Sequence, residues 1–488
     1  MSRKWWIIVG YSILVLLLLT GCLFRSPDDL YKQPEKSAGY EQLNQTISAV
    51  KAGLEAEYGV SVENAVIISG DNTATIQLQD LDQDGERESA LAFLRIPGVE
   101  KSIKIYIFRQ SEESVYQIVG LIEGDASALY SIDYVDLNGS GVREIVINWQ
   151  VSTGVYQLGA YTLDELISSF KPENENLPLV LQMPNQEQRS KLVATQILST
   201  SWTGSVDGGS GCRLLDIDQD TRIEVAVVRI DAAGVSSHVE VYGWQDFAMR
   251  SLDVVGLSTG IVSLYKLRAN YVGGELYPPA LYVTSGLQDG RRVLDILTYQ
   301  GDELKNLTLD EETGISREVS QSTMDVGLND INGDMIYELP LPCPIPADTE
   351  NASGNYWLTN WMQFDQNGGS KRVMTTYHNT MDGWYLEIPD SWSNKILISR
   401  NDQVVGQKEV IFSYCPNTKD SPIPFLSIYR FTGTNRAAAS TRYGRFVLYD
   451  EGTVIYSAKF YDSKWNCGMD QSNLIDYFHR IQSSWLSN

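Results

Sequence analysis

Four short acidic segments constrain this chain more than any other feature of its sequence. Each segment has an oxygen-bearing side chain at positions 1, 3, 5 and 9 of nine residues. If the backbone curls tightly, these oxygens converge, and calcium takes about six to eight such ligands. The segments are therefore predicted to be calcium-binding loops. The predicted ligands are Asp80, Asp82, Asp84 and Glu88 (loop 1), Asp136, Asn138, Ser140 and Glu144 (loop 2), Asp216, Asp218, Asp220 and Glu224 (loop 3), and Asp330, Asn332, Asp334 and Glu338 (loop 4).

The residues around the loops exclude an EF-hand, which needs a glutamate at position 12 and a helix on each side. Position 12 is instead Leu91, Ile147, Val227 and Leu341. Runs typical of β-strands flank the loops, for example residues 75–79 and 90–94 around loop 1. Each loop is therefore predicted to close a β-hairpin.

The four loops differ in their content of carboxylates. At the four ligand positions, loops 1 and 3 have four carboxylates each, loop 4 has three and loop 2 has two. More ligand charge favours tighter binding. The glycine at position 6 that eases the sharp turn is replaced by Thr221 in loop 3 and Met335 in loop 4. Loop 1 is predicted to bind a cation most strongly, and loop 2 or loop 4 least strongly. We interpret the metals as structural, with a calcium-gated ligand site as the alternative.

Repeated cation loops that close hairpins resemble the FG-GAP or VCBS-type blades of integrin-like β-propellers. The loops start 56, 80 and 114 residues apart. The spacing of 114 is close to two repeats of 56, and the spacing of 80 is one repeat with an insertion of about 24 residues; such a period is the signature of a repeat architecture. Residues 270–283, with Asn270 and Pro278 at the first and ninth positions, are interpreted as a repeat without ligands. Residues 162–196 are interpreted as containing an insertion. The predicted fold class is mostly β, with a β-propeller of about five blades at 58–369, and six or seven blades as alternatives.

The N-terminus has the features of an export signal. Two basic residues precede an apolar run from residue 5 to 19. The tetrapeptide that ends in Cys22, Leu-Thr-Gly-Cys, resembles a bacterial lipobox. This resemblance implies that residues 1–21 are a signal peptide and that the Cys22 thiol is lipidated, for example with palmitate. An uncleaved transmembrane anchor is the alternative, and both place most of the chain outside the cytoplasm.

The segment that follows Cys22 is predicted to connect the lipid to the folded body. Residues 22–37 are polar and contain proline, which is typical of a tether. Apolar residues then recur at helical spacing, so residues 38–57 are predicted to form an amphipathic helix. The apolar stripe consists of Leu43, Ile47, Val50 and Leu54.

The pattern changes after residue 369, which predicts a second domain at 370–488. Seven strand-like runs lie between residues 373 and 460, and an apolar periodicity from Leu474 to Trp485 predicts a terminal helix. The domain is predicted to be α+β and to follow a flexible linker at 365–370. Residues 379–392 are similar to the opening hairpin of PsbP/Mog1-like domains. Cys415 and Cys467 are interpreted either as a disulfide or as buried thiols.

The net charge and the catalytic motifs that the sequence lacks limit the functions to be considered. The formal charge of −24 repels phosphate backbones, so nucleic acid is excluded as a partner. The three histidines, His238, His378 and His479, fall in three different predicted units, and no HExxH, GxSxG or Walker motif occurs. We predict a membrane-anchored extracytoplasmic lipoprotein that acts as a non-catalytic binding or scaffold module for an envelope protein or a glycan. The alternative is an exported hydrolase or lyase that uses carboxylates in the propeller channel.

Overall fold

The computed structural model describes residues 38–110, 116–164, 186–320, 327–345, 356–417 and 420–481. The chain divides into two compact units: unit 1 contains residues 1–129 and 163–195, and unit 2 contains residues 130–162 and 196–488. The predicted signal peptide, Cys22 and the tether lie outside the described residues. Within the described ranges, no helix combines the length and the apolar character needed to cross a membrane.

Unit 1 combines a long helix with one antiparallel sheet, sheet A. Helix α1 spans Ala38–Tyr58, where the sequence predicts a helix at 38–57. Its four stripe residues are buried and belong to one core cluster with apolar residues of the sheet, because residues three and four apart share a helix face. The other elements are β1 (Glu63–Asn64), β2 (Ile76–Gln79), β3 (Ser89–Arg95), β4 (Ile103–Gln110), β5 (Tyr116–Gly124) and a short helix α2 (Gln186–Ser190).

Unit 2 begins with three antiparallel sheets in which strands that follow each other in sequence are neighbours. Sheet B contains β6 (Ala128–Val135), β7 (Glu144–Ser152), β8 (Val155–Thr162) and β9 (Thr195–Thr203). Sheet C contains β10 (Cys212–Leu215), β11 (Glu224–Arg229), β12 (His238–Gln245) and β13 (Ala248–Gly256). Sheet D contains β14 (Ile261–Tyr271), β15 (Pro279–Leu287), β16 (Arg292–Gln300), β17 (Glu303–Asn306) and β18 (Val319–Ser320).

Two further antiparallel sheets complete unit 2. Sheet E contains β19 (Glu338–Pro344), β20 (Trp357–Phe364), β21 (Ser370–Asn379), β22 (Trp384–Glu387) and β28 (Phe478–Arg480). Sheet F contains β23 (Ile396–Asn401), β24 (Gln407–Tyr414), β25 (Ile423–Phe431), β26 (Phe446–Asp450) and β27 (Ile455–Phe460). The helices of this part are α3 (Arg436–Ser440) and α4 (Leu474–Tyr477), with 3-10 turns at Asp390–Trp392 and Arg442–Gly444.

Three of the four strands that follow the cation loops, β3, β7 and β11, are buried over most of their length. In β7, all six residues from Glu144 to Trp149 are buried, and in β11 all five from Glu224 to Val228 are buried. An antiparallel sheet with one face in water would alternate between buried and exposed residues, so both faces of these strands are covered. The protein is mostly β, as predicted. Closure of the sheets into a propeller of about five blades stays a prediction.

The predicted repeat without ligands corresponds to a hairpin of sheet D. Strands β14 and β15 pair with Asn270 opposite Ala280 and Tyr271 opposite Pro279. The turn between them corresponds to the cation loops between β2 and β3, between β6 and β7 and between β10 and β11. Residues 165–185, in the predicted insertion, lie outside the described residues.

The structure places the predicted boundary at 369/370 inside a hairpin. Strand β21 pairs with β20, with Phe364 opposite Ser370 and Thr359 opposite Thr376. The predicted linker is the turn between these strands, where Asp365 accepts hydrogen bonds from the backbone N–H groups of Asn367 and Gly369. Residues on both sides of the boundary therefore share sheet E, and the polar, glycine-rich composition encodes a tight turn rather than a flexible joint.

The predicted terminal helix is wrong beyond its first turn. Helix α4 ends at Tyr477, and the chain continues as β28, in which Phe478 lies opposite Leu386 and His479 opposite Tyr385 of β22. The backbone hydrogen bonds of β22 replace those of a second helical turn. Trp485 lies outside the described residues.

Sheet E also corrects the predicted distribution of the histidines. His378 of β21 and His479 of β28 both stack on Tyr385 of β22, at ring-centroid distances of 5.0 and 4.7 Å. Two of the three histidines thus belong to one sheet rather than to separate units. Cys415 and Cys467 are both buried and are not joined by a disulfide, which agrees with the second of the two interpretations.

Candidate functional site

The four predicted loops share one pattern of hydrogen bonds. In each loop, the aspartate at position 1 accepts from the backbone N–H at position 6, at N···O distances of 2.8 to 3.1 Å. The side chain at position 5 accepts from the N–H at position 7, at 2.8 to 3.2 Å. Short polar side chains that bond their own backbone in this way stabilise turns. All four segments therefore have the tight curl that their sequences predict.

The loops also share two residues in the left-handed region of backbone conformation. Position 6 is left-handed in every loop, and Thr221 and Met335 adopt this conformation with φ of 78° and 66° despite their Cβ atoms. Position 4 is left-handed too, and Gln83 and Gln219 occupy it in loops 1 and 3 with φ of 59° and 64°. For residues other than glycine this conformation costs about 1–2 kcal/mol. The four loops therefore have the same backbone geometry even where a residue other than glycine occupies a left-handed position.

Loop 1 closes the hairpin of β2 and β3 and gathers all four of its predicted ligands. Carboxylate oxygens of Asp80, Asp82, Asp84 and Glu88 lie within 4.8 Å of one another. Burial raises the pKa of Glu88, and the charge of Asp82 raises it further. This loop has the donor set that a hard cation requires.

An arginine of the neighbouring strand reaches loop 1. Arg109 of β4 lies opposite Ser89, and its Nη2 donates a hydrogen bond to Asp82 and lies 3.4 Å from Oε1 of Glu88. Water screens these contacts only weakly, because the side chains of Arg109, Asp82 and Glu88 are 14, 22 and 15% exposed. The protein therefore supplies part of the positive charge in the loop that was predicted to bind a cation most strongly.

Loop 3 closes the hairpin of β10 and β11 and gathers three of its four predicted ligands. Carboxylate oxygens of Asp216, Asp218 and Glu224 lie within 4.8 Å of one another. Glu224 is 3% exposed and accepts a hydrogen bond from the backbone N–H of Ile217 at 3.1 Å. Arg222, the basic residue of this loop, instead donates to the carbonyl oxygen of Trp244 at 3.3 Å.

The pKa values of two carboxyl groups of loop 3 are raised. Burial raises the pKa of Glu224 to about 8; the hydrogen bond from Ile217 opposes this shift, and the charges of Asp218, Asp220 and Asp216 add to it. Burial also raises the pKa of Asp218. A divalent cation at this point would convert repulsion between carboxylates into attraction. Loop 3 therefore offers a cation three converging carboxylates while its own arginine bonds elsewhere, whereas loop 1 offers four, two of which contact Arg109.

Loop 2 satisfies its glutamate with its own hydrogen-bond donors. Glu144 is fully buried, and its two carboxylate oxygens accept from the backbone N–H of Leu137 and from Nδ2 of Asn138, both at 2.7 Å. The Asn138 side chain thus presents its amide N–H groups to the glutamate. This arrangement agrees with the low predicted rank of loop 2.

Loop 4 is closed by an amide from the next strand. Gln363 of β20 lies opposite Glu338, and its Nε2 donates to Asp334 at 2.6 Å and to Glu338 at 2.9 Å. Burial raises the pKa of Glu338 to about 7, and the charges of Asp334 and Asp330 contribute to the increase. Over the described ranges, only loops 1 and 3 bring three or more carboxylate oxygens within 4.8 Å of one another.

Sequence reasoning missed the two side chains that distinguish the loops, Arg109 and Gln363. Each lies on the strand that pairs with the strand following the loop, in register with the end of the loop. The register of the second hairpin was therefore the signal that could have identified them. Cys22, the predicted lipidation site, lies outside the described residues.

Comparisons with known proteins do not assign a family. No protein-family model and no curated protein matches the chain. Among solved structures, the Bacillus licheniformis rhamnogalacturonan lyase PL11 is 12% identical with a TM-score of 0.27, over 74% of each chain. The polysaccharide lyase Uly1 is 8% identical with a TM-score of 0.29, over 84% of this chain and 95% of the other. The V. cholerae biofilm matrix protein Bap1 is 11% identical with a TM-score of 0.19, over 82% and 70%. TM-scores this low carry no argument about fold or activity.

Proposed function

We propose that this protein is a lipid-anchored extracytoplasmic binding module whose sheets are reinforced by structural calcium. The observation that carries the proposal is the geometry of loop 3, in which three carboxylates converge and the arginine of the loop, Arg222, bonds elsewhere. A calcium ion held there by Asp216, Asp218 and Glu224 would fix the turn between β10 and β11. Its role would be structural, because the loop connects two paired strands.

The proposal extends to the arrangement of the sheets as blades. Sheets A to E each contain at least four antiparallel strands; sheets A, B and C have a cation loop between two paired strands, and loop 4 precedes the first strand of sheet E. Sheet D has the corresponding hairpin without the ligands. Five such sheets support a propeller of about five blades, in which neighbouring sheets cover each other's faces.

The proposed location comes from the N-terminal sequence. A lipid on Cys22 and a polar tether of about 15 residues would hold the folded body close to the membrane, within some tens of Å. An acidic module at that distance is suited to recognising an uncharged or basic component of the envelope rather than a phosphate-rich one. The proposed role is therefore recognition at the outer face of the membrane.

Metabolic labelling with an alkyne analogue of palmitate tests the proposed location. Wild-type protein should be labelled and should sediment with membranes, whereas Cys22→Ser should be unlabelled and should remain in the supernatant with an unchanged circular dichroism spectrum. The matched control is Cys212→Ser, which changes a buried cysteine and should stay labelled. Unlabelled wild-type protein would refute the lipid anchor.

Crosslinking in intact cells tests the proposed binding role. Wild-type protein should be captured with one envelope component at a reproducible position of its surface. Loss of that crosslink on treatment with a chelator would indicate that calcium orders the binding surface. If the protein crosslinks only to random neighbours, the binding role is wrong.

A further inference from the structure

A cleft lined by both polar and apolar side chains opens in unit 2, between strands of sheets B and C. Its volume is about 510 Å³, within the range of about 300–1,000 Å³ that is usual for small-molecule sites. Strands β8 and β9 form one wall, and β11 and β12 form the other. The polar lining consists of Gln157, Ser199, Thr200, Ser201, Arg229 and Tyr242.

The guanidinium of Arg229 is held in a fixed position at one wall of the cleft. Its Nη2 donates to the hydroxyl oxygens of Thr200 at 2.6 Å and Tyr242 at 3.0 Å and lies 2.9 Å from Oε2 of Glu240. The Thr200 and Tyr242 hydroxyl groups are also hydrogen-bonded to each other, at 3.1 Å. These contacts all use Nη2, and the side chain is 34% exposed. Such preorganisation lowers the entropic cost of binding.

On the face of β8 and β9 opposite to Thr200, the edge of sheet B offers both donors and acceptors. Gln157 donates through Nε2 to the Ser199 hydroxyl at 2.8 Å, which leaves its amide oxygen as an acceptor and the Ser199 hydroxyl as a donor. Ser201 is exposed two residues further along β9, so its hydroxyl lies on the same face of the strand. The exposed side chains of Val151 and Val155 add a small apolar surface at the rim.

The charges around the cleft select an uncharged ligand. Glu240, which is 16% exposed, balances the positive charge of Arg229. The whole chain carries a formal charge of −24, which disfavours the approach of an anion. Closely spaced donors and acceptors beside small apolar patches match a molecule that has hydroxyl groups and C–H faces on one ring.

We propose that this cleft binds a neutral oligosaccharide. Sugar hydroxyl groups would accept from Nη1 of Arg229 and exchange hydrogen bonds with Gln157, Ser199 and Ser201. The C–H face of a sugar ring would pack on Val155. This inference rests on the proposed binding function and names its ligand class.

Isothermal titration calorimetry with defined hexasaccharides tests the inference on the mature full-length protein. The neutral probes are cellohexaose, xylohexaose and chitohexaose, and the acidic probe is hexagalacturonate. At least one neutral probe should bind, and hexagalacturonate should bind at least tenfold more weakly. Failure of all three neutral probes, or a preference for the acidic probe, would overturn the assignment.

Variants locate the binding to the cleft. Ser201→Trp places a large side chain in the cleft and should lower the affinity at least tenfold. Thr195→Trp is the matched control, because Thr195 is exposed at the start of the same strand, about 20 Å away, and it should bind like the wild type. Gln157→Ala, a smaller change at an exposed residue, should lower the affinity severalfold and serves if Ser201→Trp fails to fold. Affinity that is unchanged in Ser201→Trp or Gln157→Ala would place the site elsewhere.

Co-sedimentation with isolated envelopes separates this inference from the proposed function. If the protein binds envelopes and Ser201→Trp does so equally well, the binding role stands and the cleft assignment is wrong. If neither the envelopes nor the sugars are bound, both are wrong.

Discussion

Loops 1 and 3 have a carboxylate at all four ligand positions and the same backbone turn, but they differ in the side chains that contact these carboxylates. In loop 1, the guanidinium of Arg109 contacts Asp82 and Glu88. In loop 3, Arg222 bonds a backbone carbonyl, and the pKa of Glu224 is raised to about 8 by burial, with neighbouring aspartates adding to the shift. The comparison teaches that a cation loop can be neutralised from a neighbouring strand as well as by a metal.

The difference comes from one position of the hairpin that follows each loop. The first residue after the loop glutamate pairs with Arg109 in sheet A, as Ser89, and with Tyr242 in sheet C, as Val225. A tyrosine hydroxyl supplies no positive charge, and Tyr242 bonds Arg229 and Thr200 instead.

Arg109→Gln should have the largest effect. Without the guanidinium, Asp82 and Glu88 face each other unpaired, so the free energy of unfolding in chelator should fall by about 2–3 kcal/mol, near the lower end for a broken buried ion pair. Calcium should restore part of this loss. Urea denaturation followed by circular dichroism, with and without calcium, measures both values.

The control for Arg109→Gln is Arg87→Gln. Arg87 lies in loop 1 but is exposed, so its removal should change stability by less than about 0.5 kcal/mol. Equal losses in the two variants would show that the position of Arg109 beside the carboxylates is unimportant.

Calcium should stabilise the wild-type protein through loop 3. At a calcium concentration ten times the Kd, the free energy of unfolding should rise by about 1.4 kcal/mol relative to chelator. Asp216→Asn in loop 3 should abolish most of this increase, whereas Asp84→Asn in loop 1 should leave it largely intact. The reverse pattern would make loop 1 the main cation site.

The two loop glutamates should respond to neutralisation by different amounts. In chelator at pH 7, Glu224→Gln should raise the free energy of unfolding by about 1 kcal/mol, because burial raises the pKa of Glu224 to about 8 and a glutamine lacks the free energy that this glutamate gains by ionising on unfolding, while its amide keeps an acceptor for Ile217. Glu88→Gln should raise it by less than about 0.5 kcal/mol, because the charge of Arg109 opposes the burial that raises the pKa of Glu88. Denaturation in chelator measures both, and an equal or larger gain in Glu88→Gln would contradict the comparison.

Position 6 should give the smallest effect. Thr221→Gly relieves a left-handed threonine at a cost of about 1–2 kcal/mol but adds about 0.5–1 kcal/mol of unfolded-state entropy, so stability should rise by about 0.5 kcal/mol. Gly85→Thr should reduce stability by a similar amount, since an added Cβ at Gly85 meets no atom within 4 Å. Thermal unfolding in chelator is the measurement. A larger loss in Thr221→Gly than in Gly85→Thr would indicate that Thr221 has a contact role of its own.

Local patterns in the sequence predicted most strands and the shape of the loops. Spaced oxygen side chains bond nearby backbone N–H groups, so the turn depends only on residues within nine positions. The pattern from Leu474 to Trp485 was misleading, because the residues after Tyr477 pair with β22, a strand about 90 residues earlier. The apolar periodicity of a segment carries no information about the free energy of pairing with a distant strand.

The sequence by itself determined which segments curl into cation loops, because their donors and acceptors lie within a few residues of each other. Only the tertiary structure decided which loop lacks a counter-charge, because Arg109 and Gln363 reach their loops through the pairing of strands. The same holds for the cleft of Arg229, whose partners Thr200 and Tyr242 belong to different sheets. Electrostatic energy depends on distance in space, and strand register, which sets that distance, is a property of the folded chain.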